Sequence, residues 1–383
     1  HLPQPAAGQP RQRLWKIVAR RSVLAAGAIE RSLVFGGNDR PGVMTASAVS
    51  TYINRFAAAP GRRAVVFTTS DSGWATAEDL LAAGVELAAV VDAGTEAPPA
   101  AERVRRAGVN VHLGALVTDA YGVPVRAVDV RTAGGRVQRL KADLVAVAGG
   151  WNPAIGLGSN LGARPVWSQA IHSFLLDTTP PGLTPVGAAA GRFARGEAIA
   201  DGARAAAETA RDLGFTVAAA RLPTPNDEAS HVTPLWHVGK NRTKAFVDFQ
   251  HDVTDADIVL AAREGFVSIE HLKRYTTLGM ATDQGKTSQL NGHALLAAAT
   301  GKSIAEAGTV LSRPPYSPVA IGAFAGVHRG EHFRPERRTA AHDWAVEQGA
   351  SFVDAGQWKR AQWFARPGAR DWLEIVNAEV NAT

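Results

Sequence analysis

The stretch from Arg62 to Thr118 alternates strand and helix signals, and that alternation restricts the fold more than any other feature of the chain. RRAVVFTT is an unbroken apolar run of strand length, SDSG a turn, WATAEDLLAAG a helix, VELAAVVDAG a second strand, PAAERVRRAG a second helix, and NVHLGALVT the return to extended chain. Strands that read as continuous apolar runs are covered on both faces, and helices between them make parallel crossovers, so the unit is βαβαβ over a parallel sheet. Ahead of it, LWKIVARRSVLAAGAIERSLVF reads as two strands joined by a turn and an apolar run, Arg40-Pro41-Gly42 as a turn, and ASAVSTYINRF as a helix. Behind it, VRAVDVRTAGGRVQRLKADLVAVAGG reads as a hairpin and a buried strand, and GLTPVGAAAGRFARGEAIADGARAAAETARDLG as a strand end, a small-residue turn and a long alanine-rich helix.

Pro223, Pro225 and Pro234 mark a linker. A compact helical unit follows: FVDFQHDVT, the helix DADIVLAAREG, the helix SIEHLKRYTTLG, a polar loop, and the helix QLNGHALLAAATG, with Ser303 and Glu306 at capping-box spacing. SRPPYSPVAIGAFAG is expected to be extended, and the tail from Arg337 carries Trp344, Trp358, Trp363 and Trp372 and looks like the start of another domain. The chain opens on His1 and ends on a helical pattern, EIVNAEVNAT, so it is expected to be an interior piece of a longer protein.

At 383 residues the chain has room for two or more domains, and 46% hydrophobic with 20% charged residues is an ordinary globular balance. Its net charge of +6 is spread along the chain without a basic block, which favours anionic small molecules over nucleic acid as partners. With no cysteine there is no disulfide and no thiolate-held metal or iron–sulfur site, which suits a cytoplasmic protein. No apolar run approaches the roughly 18 residues a membrane span needs, so no membrane partner is expected. The eleven histidines suggest no metal site, and His231 and His237 flank the linker as surface or packing residues. No nucleophile elbow is present, and no residue looks catalytic.

Two segments invite a functional reading. The turn TTSDSGWAT has one glycine where a dinucleotide fingerprint needs three; Asp92 stands where a ribose-binding acid would sit, but Trp74 and Asp71 oppose a pyrophosphate, so a retired nucleotide site is expected. KRYTTLGMATDQGKTS, residues 273–288, crowds three cations, four threonines and two glycines into one loop. Such groups suit a phosphate or a flavin ring edge, because Lys and Arg neutralise phosphate while hydroxyls and loop amides give directed hydrogen bonds. Simple helix capping is the other use of the same residues.

Three pieces, AAGAIERSLVFGGNDRPGV, VAGGWNPAIGL and VGAAAG with its helix, resemble in order the motifs of two-dinucleotide-fold flavoprotein reductases. The resemblance implies an α/β, Rossmann-type FAD/NAD(P)-binding-like region in which Gly27, Gly187, Ala188, Ala189, Phe193 and Arg195 lie against a cofactor. The family's flavin-binding aspartate is replaced in the pair Gly187-Ala188, so a dinucleotide without a working FAD site is implied. The unit after the linker resembles the small [2Fe–2S] module of ferredoxin-like (BFD-like) proteins, with Asp248, Gln250, Asp283 and Ser288 in place of the four cysteines.

FVDFQHDVT, GFVSIEHLKRYTTLGMATDQGKTS, RPPYSPVAIGA and RRTAAHDWAVEQGASFVDAGQWKRAQWF, in this order, resemble the alpha subunits of heterotetrameric sarcosine oxidases. That resemblance implies NAD+ in the Gly187 to Arg195 region, FMN at the interface with a beta subunit, FAD in the beta subunit, tetrahydrofolate in a T-protein-like (aminomethyltransferase-like) domain, and gamma and delta partners, with sarcosine as substrate. On the FMN side it implies Lys273, Arg274 and Lys286 for anionic groups, Thr276, Thr277, Thr282 and Gln284 as hydrogen-bond donors and acceptors, and Gly285 and Thr287 beside them. The implied boundaries are 1–222 for the dinucleotide-binding-like domain with the second βαβ unit at about 61–145, 223–245 for a linker, 246–310 for the small module, 311–335 for a second linker and 336–383 for the start of the folate domain. An opine- or amino-acid dehydrogenase subunit and a non-catalytic scaffold subunit remain as alternatives.

Overall fold

The computed structural model describes residues 4–225, 231–239 and 241–383. The chain divides into two compact units, one of residues 19–318 and one that joins residues 1–18 to 319–383.

In the first unit the alternating segment forms a parallel sheet. Arg63–Thr68 lies between Leu144–Ala148 and Glu86–Asp92, and the edges are Val43–Thr45 and Val111–Leu113. Its inner strands, RAVVFT, ELAAVVD and LVAVA, are buried almost throughout, as a sheet covered on both faces requires. Helices Ala46–Phe56, Asp71–Ala82 and Pro99–Arg106 cover one face through Val49, Trp74, Leu80 and Val104. The other face meets Leu33, Phe35 and the antiparallel meander Leu116–Tyr121, Ala127–Arg131 and Val137–Lys141. NVHLGALVT is therefore two strands in two sheets, because Gly114, at φ +58°, turns the chain between them.

Around this core Ser22–Leu24 pairs in parallel with Leu183–Pro185, and Ala28–Glu30 pairs antiparallel with Trp151–Pro153. The alanine-rich helix spans Arg195–Asp212. The expected strand within LWKIVARR is not formed: Leu14, Trp15, Ile17 and Val18 are exposed, and no strand among the described residues pairs with them. The linker expectation falls partly outside the described residues, at 226–230 and 240; residues 231–239 run along the unit, with Thr233 N donating to Thr69 O at 2.7 Å and Val238 N to Val34 O at 2.9 Å.

The cysteine-free module packs helices Asp255–Arg263, Ile269–Thr276 and Gln289–Ala299 around Ile258, Leu272, Leu278 and Leu296. Thr254 caps the first of these in a full capping box with Asp257, and Ser303 with Glu306 forms the one read from sequence.

The second unit contains a three-stranded sheet in the order Arg337–Arg338, Trp358–Phe364, Ala350–Ala355, with helices His342–Glu347 and Trp372–Ala382. Ile321–Ala325, expected to be extended, is a short helix that Gly326 closes. Against the expectation that the histidines form no H-x-x-x-H pair, His328 and His332 stand at that spacing; they flank an exposed single turn, and no group of three or more His, Asp or Glu side chains able to hold a metal ion occurs among the described residues.

Candidate functional site

The loop begins where Thr277, in left-handed backbone at φ +65°, ends the helix Ile269–Thr276. Asp248, only 2% exposed, gathers it. Its Oδ2 accepts from Gly279 N at 2.8 Å and Ser288 Oγ at 3.3 Å, and its Oδ1 from Gln250 N at 2.9 Å. Gln250 Oε1 in turn accepts from Thr282 Oγ1 at 3.3 Å. Three of the four positions matched to cysteines therefore converge. Asp283 makes local contacts instead, accepting from Gly285 N at 3.1 Å and Thr287 Oγ1 at 3.3 Å.

Much of the loop's polarity faces inward. Thr276 Oγ1 donates to Leu272 O at 2.8 Å and Thr277 Oγ1 to Thr276 O at 2.5 Å. Gln284 binds the strap 312–318 that follows the module: Oε1 accepts from Arg313 N at 2.7 Å, and Nε2 donates to Arg313 O and Pro315 O at 2.9 Å each. Lys286 donates to Tyr316 O and lies 3.9 Å from the Tyr316 ring centroid. Arg274 is paired with Glu270 at 3.0 Å, and Lys273 has no carboxylate partner among the described residues. Beside the loop opens a cleft of about 360 Å³ lined by Lys273, Arg274, Arg313, Glu270, Met280, Gln284 and Gln289. Three cations against one carboxylate make it fit a phosphate group. Arg313 was missed by sequence reasoning because nothing in a proline-rich segment shows which neighbour it meets.

The glycine-alanine turn forms a second candidate. Gly187 adopts φ +60° and opens the short turn Gly187–Ala190, where Ala188 and Ala189 keep side chains small. Its N–H donates to Asp201 Oδ2 at 2.9 Å. Burial raises the Asp201 carboxyl, but Arg204, the Gly187 amide and Arg192 together bring it below its ordinary range. Asp201, another acid unmarked by any motif, thus already engages one amide of this turn. The helix that starts at Arg195 follows directly on this turn, and Phe193, between the two, is half-buried. Gly27, at φ +73°, sits apart in the turn before Ala28–Glu30, where its carbonyl accepts from Ala154 N at 2.9 Å.

The turn TTSDSGWAT engages its own side chains. Trp74, 1% exposed, donates Nε1 to Asp92 Oδ2 at 2.8 Å, and Gly94 N holds Oδ1 at 2.8 Å. A Cβ on Gly73 would lie 2.3 Å from Thr68 Oγ1, so its glycine serves helix-to-strand contact. Burial raises the Asp92 carboxyl, with Gly94 and Trp74 opposing. A cleft of about 710 Å³ remains over these strand ends, lined by Asp71, Asp92, Glu96, His172 and His231 among others.

Two further buried groups stand nearby in the unit. Arg31, 1% exposed, donates to Gly149 O and Asn152 Oδ1, lies 4.4 Å from the Trp236 ring, and is lowered to about 9 by burial. His293 is fully enclosed, its Nδ1 without a partner, and burial lowers it to about 3.

Residues 242–327 match the family model described as the sarcosine oxidase A3 domain. Sarcosine oxidase subunit alpha of Rhizobium meliloti (strain 1021) is 45% identical over 387 residues, taking in 99% of this chain and 38% of that protein. The subunit of the same name from Corynebacterium sp. (strain P-1) is 41% identical over 388 residues, with 96% and 40% covered. The chain thus spans about two fifths of the length of these curated relatives. Among solved structures, L-proline dehydrogenase from P. horikoshii superposes with a TM-score of 0.62 over 80% of this chain and 59% of that one; at 19% identity the likeness is one of fold.

Proposed function

The chain belongs to the family of sarcosine oxidase alpha subunits, and from that premise we propose that it is the part of such a subunit that holds NAD+ and one side of an FMN site. The whole enzyme would oxidatively demethylate sarcosine to glycine, reduce oxygen to hydrogen peroxide and pass the one-carbon unit to tetrahydrofolate. The observation that carries the reading is the cleft beside the loop, where Lys273, Arg274 and Arg313 face one carboxylate, Glu270.

In this reading the residues bind and orient. Lys273 and Arg274 neutralise the anionic end of FMN beside the loop that Asp248 holds in place. FMN when bound would relay electrons toward oxygen. The small-residue turn from Gly187 lets NAD+ approach the backbone closely, with Ala188 leaving no carboxylate for a flavin. No side chain of this chain is assigned a proton transfer on the amine, which falls to a beta subunit carrying FAD; gamma and delta subunits complete the assembly in the cytoplasm. Residues 336–383 would begin the folate domain, a role that their small sheet and flanking helices suit.

The test is to purify the full-length subunit with its partner chains, extract its cofactors and compare it with a Lys273→Ala/Arg274→Ala variant. FMN and NAD+ in the parent, with FMN alone reduced about tenfold in the variant, support the reading. FMN unchanged by the substitutions overturns the loop's role, and absence of any nucleotide leaves a scaffold subunit.

A further inference from the structure

Helix Asp255–Arg263 is apolar on two sides, although the module covers only one of them. Ile258 and Ala261 face the module's core and are fully buried there. Ala256, Val259, Leu260 and Arg263 recur at the i, i+3, i+4, i+7 spacing of a second helix face, and this stripe lines open space, with Val259 57% exposed. Helix Gln289–Ala299 adds Ala294, Leu295, Ala298 and Ala299 beside it, and Leu235 and Trp236 complete the walls. The result is an apolar groove of about 690 Å³. Its two acid and base side chains stand at opposite ends of the stripe, Asp255 at the start of the helix and Arg263 at its end. His237 Nε2 lies 3.0 Å from Asp255 Oδ2, whereas Arg263 makes no ion pair among the described residues.

We propose that this groove is the seat of a helix from a partner subunit, running in the same direction as Asp255–Arg263. The inference rests on the reading of this chain as one subunit of an assembly, and it is independent of the cofactors assigned to it. A helix that is apolar on opposite sides belongs in an interior, so the second stripe calls for a cover. Alanines at 256, 294, 298 and 299 leave room for a neighbouring backbone to approach to the roughly 8–10 Å between axes that packed helices adopt. The nine residues of the helix span about 14 Å, so its cover is a helix of about two and a half turns presenting one small or apolar face. Charge sets the direction. The positive N-terminal end of the docked helix meets Asp255, and its free C-terminal carbonyls meet Arg263. An apolar small molecule or a lipid tail would answer neither charge.

The experiment places the photo-crosslinking residue benzoylphenylalanine at position 259 of the full-length subunit, co-expressed and purified with its partner chains. Mass spectrometry of the irradiated complex should find one helical peptide of one partner chain joined to this position. A link to another part of the same chain would mean that the subunit covers its own groove, and a link to a second copy would mean self-association. Either result overturns the proposal, as does a position that links to nothing. Val259→Glu and Ala298→Glu, both at exposed positions, should each weaken retention of that partner about tenfold or more, with the circular dichroism of the subunit unchanged. Full retention of the partner in both variants overturns the groove's role. Arg263→Glu should weaken the partner's hold by several-fold while Arg263→Lys keeps most of it, and no effect of the charge reversal overturns the assigned direction. Retention is read from the partner chain rather than from bound flavin, so failure of the cofactor reading leaves these outcomes distinguishable.

Discussion

Ser288 donates its hydroxyl to Asp248 Oδ2 at 3.3 Å, joining residues 40 apart in sequence at the heart of the module. The same oxygen holds Gly279 N at 2.8 Å, so one buried carboxylate secures both ends of the loop. The module thus closes on a carboxylate hub of amides and a hydroxyl.

Replacing that hub should loosen the loop. Asp248→Asn keeps the size but can turn a donor toward Gly279 N–H, and Asp248→Ala leaves the amides unpaired; each should cost about 2–4 kcal/mol. Urea denaturation measures the loss, and hydrogen exchange should localise it to residues 277–288.

The Trp74–Asp92 bond makes a second prediction. Trp74→Phe preserves most of the volume and strands Asp92 Oδ2, so stability should fall by about 1–3 kcal/mol. Asp92→Asn should leave extractable NAD+ unchanged, because that carboxylate is committed to Trp74 and Gly94; loss of NAD+ would assign a nucleotide to this turn.

Glu30 carries a pH dependence. Burial, opposed by hydrogen bonds from Ser47 and Thr45, raises its carboxyl from the ordinary 4.5 to about 7, while Oε2 accepts from Ser47 N at 2.6 Å. A raised carboxyl favours the protonated folded state, so this stability is full below about 4.5 and is lost as pH rises through about 7. Glu30→Gln should therefore gain stability relative to the parent between pH 5 and 8, by at most about 3 kcal/mol. A flat difference across denaturation curves at those pH values would refute it.

His293 has the opposite sign. Burial lowers its imidazole from 6.5 to about 3, so the folded state holds it neutral and loses stability as pH falls from about 6.5, when only the unfolded chain takes up the proton. His293→Leu, in a helix buried nearly all round, should flatten the acid limb of the stability curve. An unchanged acid limb would place the sensitivity elsewhere.

The sequence alone determined the elements whose signals are local. Continuous apolar runs fixed the parallel sheet and Ser303 with Glu306 fixed a cap, while the resemblance to the [2Fe–2S] module grouped Asp248, Gln250, Asp283 and Ser288, of which all but Asp283 converge. Only the tertiary structure decided how the polar groups were used. Trp74 reaches Asp92 across 18 residues, Asp201 takes the Gly187 amide across 14, and Gln284 meets Arg313 across 29. A polar side chain's composition states that it needs a partner; packing decides whether that partner is a ligand or a distant backbone. Lys286 was therefore legible as a cation but not as Tyr316's neighbour, and Arg313 was legible as an arginine but not as part of the cleft. The strand expected before Ser22 failed for the same reason, since apolar alternation makes a strand only where another strand's edge meets it.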